Sequence, residues 1–333
     1  MALLNLAVLV AGVMTLAWWR REQARPIPSH IEGMITDGFF EPAEDVGYVP
    51  RANQQVAARR VTGTGDVVYD VKYSIGPDHF RITPASAPDP AACVAVFGDS
   101  FAFGEGIKDD ETFGSQLVQG SNGSIATQIF GIGGWGPHQF LSGFESGRFP
   151  RAFHCQPTVA IYTMIAGHMR RLTGRDTWAR GPRFRLVNGR VEHNGNLPPQ
   201  PALDDLDEGM LGWRRLIGVH RTGTTEDVEL TAAIFREALG YLHALPTQPR
   251  LHILYSDTYV DPRIADLFGR LAAQGVMVHR IETILPDFAD NHLRYEIGPA
   301  DGHLNAMANR LIAKYLADQM VDRRLKSAAA SQH

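Results

Sequence analysis

Cysteine is nearly missing from this chain: Cys93 and Cys155 are the two present among 333 residues. Two cysteines cannot build a multi-bridge framework, and no CxxC or His/Cys cluster with metal-ligand spacing occurs, so a thiolate zinc site is excluded. Both open apolar runs that read as neighbouring buried strands, which favours free thiols packed as small hydrophobes over a disulfide. No Walker loop is present, and no cofactor is implied. Positive charge is not in excess either. Thirty-two Lys and Arg face 36 Asp and Glu, for a net charge of −4, which leaves no basic field for nucleic acid. Internal repeats and long low-complexity segments are also lacking. The length fits one large domain, or one domain with substantial insertions, and 44% hydrophobic residues can supply a sizeable core.

What the chain does have begins with Ala2 to Trp19, eighteen residues without a charge. As a helix this stretch would span roughly 27 Å, enough to cross most of a hydrocarbon core. Trp18 and Trp19 followed by Arg20 and Arg21 form an interfacial edge, and no small-x-small cleavage site follows. Residues 1–21 are therefore expected to be an uncleaved membrane anchor, although arginines behind the helix and none before it would by the positive-inside rule leave the remainder in the cytoplasm. Residues 22–90 are rich in Pro, Gly and Asp, and the alternating runs DVVYDVKYSIG and HFRITP predict β-hairpins in a β-rich lead-in, joined onward through PASAPDPAA.

Residues 91–325 alternate between two periodicities. CVAVF, SIATQIF, TVAIYTM, LHILYS and VMVHRI have the length and composition of buried strands. Helical patterns fall between them, including Val228 to Leu245 and a segment with Asp261 as N-cap and Gly275 as C-cap. This predicts a three-layer α/β fold: a parallel sheet of flavodoxin-like order 2-1-3-4-5 with helices on both faces. An insertion at about 169–226 carries Asn188-Gly189, a two-residue hairpin signal, and lies where it could shape a site at the carboxyl edge of the sheet. Residues 326–333 are expected to be disordered.

The chemistry concentrates in two places. In VAVFGDSFAFGEG, Val94 to Gly106, an apolar run breaks at Gly98-Asp99-Ser100, which would hold the Ser100 hydroxyl at the carboxyl edge of a strand. Asp301-Gly302-His303 precedes an amphipathic helix near the other end, giving the order nucleophile, acid, base. A serine hydroxyl needs a base to become a nucleophile, histidine can serve near neutral pH, and an acid orients the imidazole. Two residues apart in extended chain, Asp301 and His303 lie on one face. Together with the glycine-rich GIGGWG at Gly131 to Gly136, these blocks resemble the SGNH/GDSL hydrolase family over about residues 90–320.

That resemblance implies Ser100 as nucleophile, His303 as base and Asp301 as the orienting acid, with oxyanion donors from the Ser100 and Gly134 backbone and a third-block side chain. The family's usual D-x-x-H is D-x-H here. Its third block, Gly-x-Asn-Asp, is replaced by MIAGHMRR, where His168 is either a substitute third oxyanion donor or a structural histidine. Asp99 is expected to tie the turn. Arg170 and Arg171 read as a solvated loop end, and His138, His154 and His220 as ordinary histidines. The resulting expectation is a serine esterase acting on O-acyl, chiefly acetyl, esters of a small molecule or glycan, with hydrolysis rising through an ionisation near that of ordinary histidine. An O-acyltransferase for surface polysaccharide would pass through the same acyl-enzyme, and a non-catalytic carbohydrate-binding or scaffold protein on the same fold is the remaining alternative. Resembling bacterial chains face the periplasm or cell surface, the location also expected here.

Overall fold

A computed structural model describes residues 29–34, 38–175, 180–197, 223–257 and 260–330, with side chains as far as 319. The expected membrane segment 1–21, the first part of the lead-in and His220 lie outside the described residues. No helix among the described residues is long and apolar enough to cross a membrane.

The lead-in forms β1 (Ser29–Gly33), β2 (Phe40–Ala43), β3 (Gly47–Pro50), β4 (Gln54–Thr62) and β5 (Val67–Ile75). Strands β1, β4 and β5 make an antiparallel sheet, and β2 pairs with β3. Alternation does the sorting: Tyr69, Val71, Tyr73 and Ile75 are buried while Asp70 and Lys72 face solvent. Phe103, from beyond the lead-in, packs into the same cluster, so the two parts share a core.

The main region runs β6 (Ala92–Gly98), α1 (Ser100–Phe103), α2 (Phe113–Gly120), β7 (Ile125–Gly131), α3 (Pro137–Glu145), α4 (Arg148–Ala152), β8 (Val159–Met164) and α5 (His168–Leu172). It continues through a hairpin, β9 (Pro182–Val187) and β10 (Arg190–Asn196), to α6 (Thr225–Ala244), β11 (Arg250–Tyr255), α7 (Pro262–Ala273) and β12 (Met277–Arg280). Then come α8 (Ile281–Ile284), α9 (Phe288–Asn291), the short pair β13 (Glu296–Gly298) and β14 (Asp301–Leu304), and α10 (Ala306–Ala330).

The five expected strands make one parallel sheet in the order β12-β11-β8-β6-β7, the predicted 2-1-3-4-5 arrangement read from the opposite edge. Helices α3, α6 and α7 cover one face. Helices α2 and α10 cover the other. In the hairpin, Asn188 and Gly189 both adopt positive φ, 51° and 77°, as a two-residue turn requires. Asp261 caps α7 by accepting from Arg263 N and Ile264 N.

Two expectations are overturned. Cys93 and Cys155 form a disulfide and are not free thiols. Parallel pairing of β6 with β8 brings the entries of the two strands together, a proximity that cysteine spacing does not reveal. The tail expected to be disordered from 326 is helical as far as Ala330. Lys-Ser-Ala-Ala-Ala contains no helix breaker, so α10 propagates through it.

Candidate active site

The carboxyl edge of the sheet assembles the site. At the end of β6, Gly98 has a φ of 135°, and a Cβ there would sit 2.1 Å from Thr163 Oγ1, so the turn requires glycine. Asp99 follows as the N-cap of α1, its Oδ1 accepting from Phe101 N at 3.0 Å. Ser100 is thereby the first residue of a helix, where its backbone N–H has no intrahelical acceptor. Strand β7 ends in register with β6, and Ile132 N donates to Gly98 O at 3.2 Å, so the glycine-rich loop turns beside the serine. Gly134 takes a φ of 83° in this loop, a conformation that suits glycine. The Tyr48 hydroxyl of β3 donates to Gly133 O at 2.6 Å, and Trp135 Nε1 donates to Tyr48 O at 3.2 Å, which ties the loop to the lead-in.

Strand β14 delivers the other groups. His303 Nε2 lies 2.7 Å from Ser100 Oγ, and His303 Nδ1 donates to Asp301 Oδ1 at 2.6 Å. The His303 backbone N–H also donates to Asp301 Oδ1, at 2.9 Å, so the short D-x-H spacing closes on itself. Arg60 of β4 donates through Nη1 to the second carboxylate oxygen, Oδ2, at 2.8 Å. Burial would push the Asp301 carboxyl up, yet the His303 hydrogen bond and charge, with the Arg60 charge, hold it below its ordinary value.

A second carboxylate faces the imidazole. Arg81, buried, donates from Nη1 to the Phe103 and Gly104 carbonyls and from Nη2 to that of Ile107, each at 2.7 Å, and so fixes the segment that carries Glu105. Glu105, Asp301 and His303 offer side-chain donor atoms all within 4.8 Å of one another, the one grouping among the described residues suited to a cation. Both His303 nitrogens are already engaged, with Asp301 and Ser100. Burial works against the imidazolium, but the Glu105 charge and the Asp301 hydrogen bond outweigh it and raise the His303 pKa to about 9, well above the ordinary histidine value.

His168 does not stand where an oxyanion donor would. It is fully buried, its Nε2 lying 3.0 Å from Asp99 Oδ2 and its Nδ1 3.2 Å from the Tyr162 hydroxyl. The imidazole is held by the acid behind the serine turn, an arrangement that fits the structural alternative better than the oxyanion one. Arg171 is likewise not solvated: it is buried and donates to Asp99 Oδ2 at 3.3 Å and to Trp135 O at 2.9 Å. Asp99 ties the turn as expected, and more widely. Burial raises its carboxyl, but the His168 and Arg171 charges and the Phe101 N–H bring its pKa down to about 2. His138 is buried against Arg180 O and kept neutral, its pKa lowered to about 3 chiefly by burial.

Ser100, His303 and Asp301 are brought together; Gly134 lies on the loop beside the serine; His168 is withdrawn. Sequence reasoning missed Arg60, Arg81, Glu105 and Tyr48. The lead-in residues among them carry no motif, and 241 positions separate Arg60 from Asp301. Glu105 sits inside the serine block, where no local pattern sets it apart from an ordinary loop carboxylate.

Comparison with protein-family models and with curated proteins finds no match. Solved structures similar to the chain include a carbohydrate acetylesterase from Sinorhizobium meliloti, at 11% identity and a TM-score of 0.38, covering 69% of this chain and 99% of that one. An acetyl xylan esterase from Butyrivibrio proteoclasticus shares 11% identity with a TM-score of 0.40, covering 74% of this chain and 67% of its own. A lipolytic G-D-S-L family protein from Veillonella parvula shares 14% identity with a TM-score of 0.38, covering 67% and 94%.

Proposed function

We propose that this protein is a serine esterase of the SGNH/GDSL type that hydrolyses carboxylic O-acyl esters, with O-acetylated carbohydrate as the substrate class. The observation that carries the reading is the unbroken chain Ser100–His303–Asp301–Arg60, with contacts of 2.7, 2.6 and 2.8 Å. In this mechanism neutral His303 accepts the Ser100 proton as Oγ attacks the ester carbonyl. The Ser100 and Gly134 N–H groups receive the oxyanion. The imidazolium returns its proton to the departing alkoxide, leaving an acyl-enzyme. Water, deprotonated by His303, then releases the acid and restores the serine.

An oxidising compartment fits the Cys93–Cys155 bridge, since disulfides persist where thiols are not kept reduced. The proposal therefore places the domain on the envelope side of a membrane, held by residues 1–21. Wild-type protein should turn over p-nitrophenyl acetate, and Ser100→Ala should abolish turnover with an unchanged melting curve. Adding an unacetylated glycan acceptor should leave free acetate as the product. Acetyl transfer to the glycan would replace the hydrolase reading with the acyltransferase one.

A further inference from the structure

The glycine-rich loop after β7 is fixed one peptide unit at a time. Trp135 O accepts from Arg171 Nη1 at 2.9 Å, and Gly136 N donates to Gln139 Oε1 at 2.8 Å. The unit between Gly133 and Gly134 is held on one side and open on the other. Its carbonyl, Gly133 O, accepts from the Tyr48 hydroxyl at 2.6 Å. Its N–H, that of buried Gly134, donates to no group among the described residues. A buried N–H without an acceptor is rare, and an oxyanion on the substrate would supply one. The loop also lies against the catalytic groups, since Glu105 Oε2 is 3.6 Å from the place a Cβ on Gly133 would take.

We propose that Tyr48 is a positioning residue of the oxyanion hole: its hydroxyl aims the Gly134 N–H and strengthens it as a donor to the oxyanion. The proposal rests on the esterase reading above, in which Gly134 N–H receives the oxyanion. A peptide group is planar and trans, with C=O and N–H pointing opposite ways, so a bond that fixes Gly133 O also fixes the direction of the Gly134 N–H. A donor on the carbonyl draws electron density through the amide and makes its N–H a better donor, as in any chain of hydrogen bonds. Tyr48 is itself held, because Trp135 Nε1 donates to its carbonyl at 3.2 Å and its ring meets that of Phe40 edge-on at 5.2 Å. Loss of solvent around the hydroxyl pushes its pKa further above the ordinary tyrosine value, so it stays a protonated donor.

The test removes the hydroxyl alone. Tyr48→Phe keeps the ring against Phe40, and its melting curve should stay near that of the wild type. Losing an oxyanion donor outright costs roughly a hundred- to a thousandfold in kcat, whereas here the donor remains and is only loosened. For p-nitrophenyl acetate, kcat per site titrated with fluorophosphonate should therefore fall about tenfold with KM unchanged. Phenylboronic acid, whose adduct with Ser100 places an oxygen in the oxyanion hole, should bind about tenfold more weakly. Turnover of p-nitrophenyl thionoacetate should change less than about twofold, because sulfur accepts hydrogen bonds poorly. A residue that merely braced the fold would slow both substrates alike. Ester kcat and boronate affinity that hold at wild-type levels, or equal losses on ester and thionoester, would overturn the role of Tyr48 while leaving the esterase intact. Should Tyr48→Phe not fold, Tyr48→3-fluorotyrosine keeps ring and hydroxyl and donates more strongly, so kcat on the ester should rise about twofold. An unchanged or lower kcat there would equally overturn the role. Absence of all ester turnover in the wild type would remove the esterase reading itself, and this proposal with it.

Discussion

An imidazole that takes a proton from serine must be neutral when the substrate arrives, and Glu105 works against that. With its pKa at about 9, His303 is mostly protonated at neutral pH, so kcat/KM should climb with pH and level off above about 9. Glu105→Gln removes a negative charge that favours the imidazolium, so the rising limb should move to lower pH in a pH–rate profile. A limb near the ordinary histidine range in the wild type, unmoved by Glu105→Gln, would contradict this. On the proposed mechanism Arg60 acts through Asp301 as a positioning residue. Arg60→Gln should lower kcat by roughly ten- to a hundredfold with little change in KM, and Arg60→Lys should recover part of the loss. His168→Ala removes a buried partner of the Asp99 carboxylate and should cost about 3 kcal/mol of stability in urea unfolding. Folded variant should retain kcat within about tenfold; a thousandfold loss with unchanged stability would return His168 to the oxyanion hole.

The strands were legible because buried parallel strands are short, continuous apolar runs between turn residues, and all five predicted runs became strands of the main sheet. Caps and the Asn188-Gly189 turn were legible because their chemistry is local. The Ser100, Asp301 and His303 set could be read because each residue sits in a short block at a predictable edge. Arg60 could not, since its meaning arises from packing a hairpin of the lead-in against β14, and no local pattern encodes that contact. The disulfide is long-range in the same sense, closing a sequence separation of 62. Replacing Cys93 and Cys155 together by alanine should cost about 4 kcal/mol through the freed unfolded chain, read as a lower urea midpoint. An unchanged midpoint would mean the bridge adds no stability.

Across the whole molecule the lead-in is part of the proposed catalytic unit. It supplies Arg60 to Asp301 and Tyr48 to the glycine-rich loop, and it shares the buried cluster around Phe103. A chain beginning at Pro77 should therefore lose both ester turnover and cooperative unfolding, whereas a detachable domain would keep both. The central claim is that these elements converge to make Ser100 a nucleophile, and covalent labelling tests it most directly. A fluorophosphonate probe should add once to the intact protein, with peptide mass mapping placing the adduct on Ser100 and Ser100→Ala abolishing it. An unlabelled wild-type protein, or an adduct that persists in Ser100→Ala, would contradict the account.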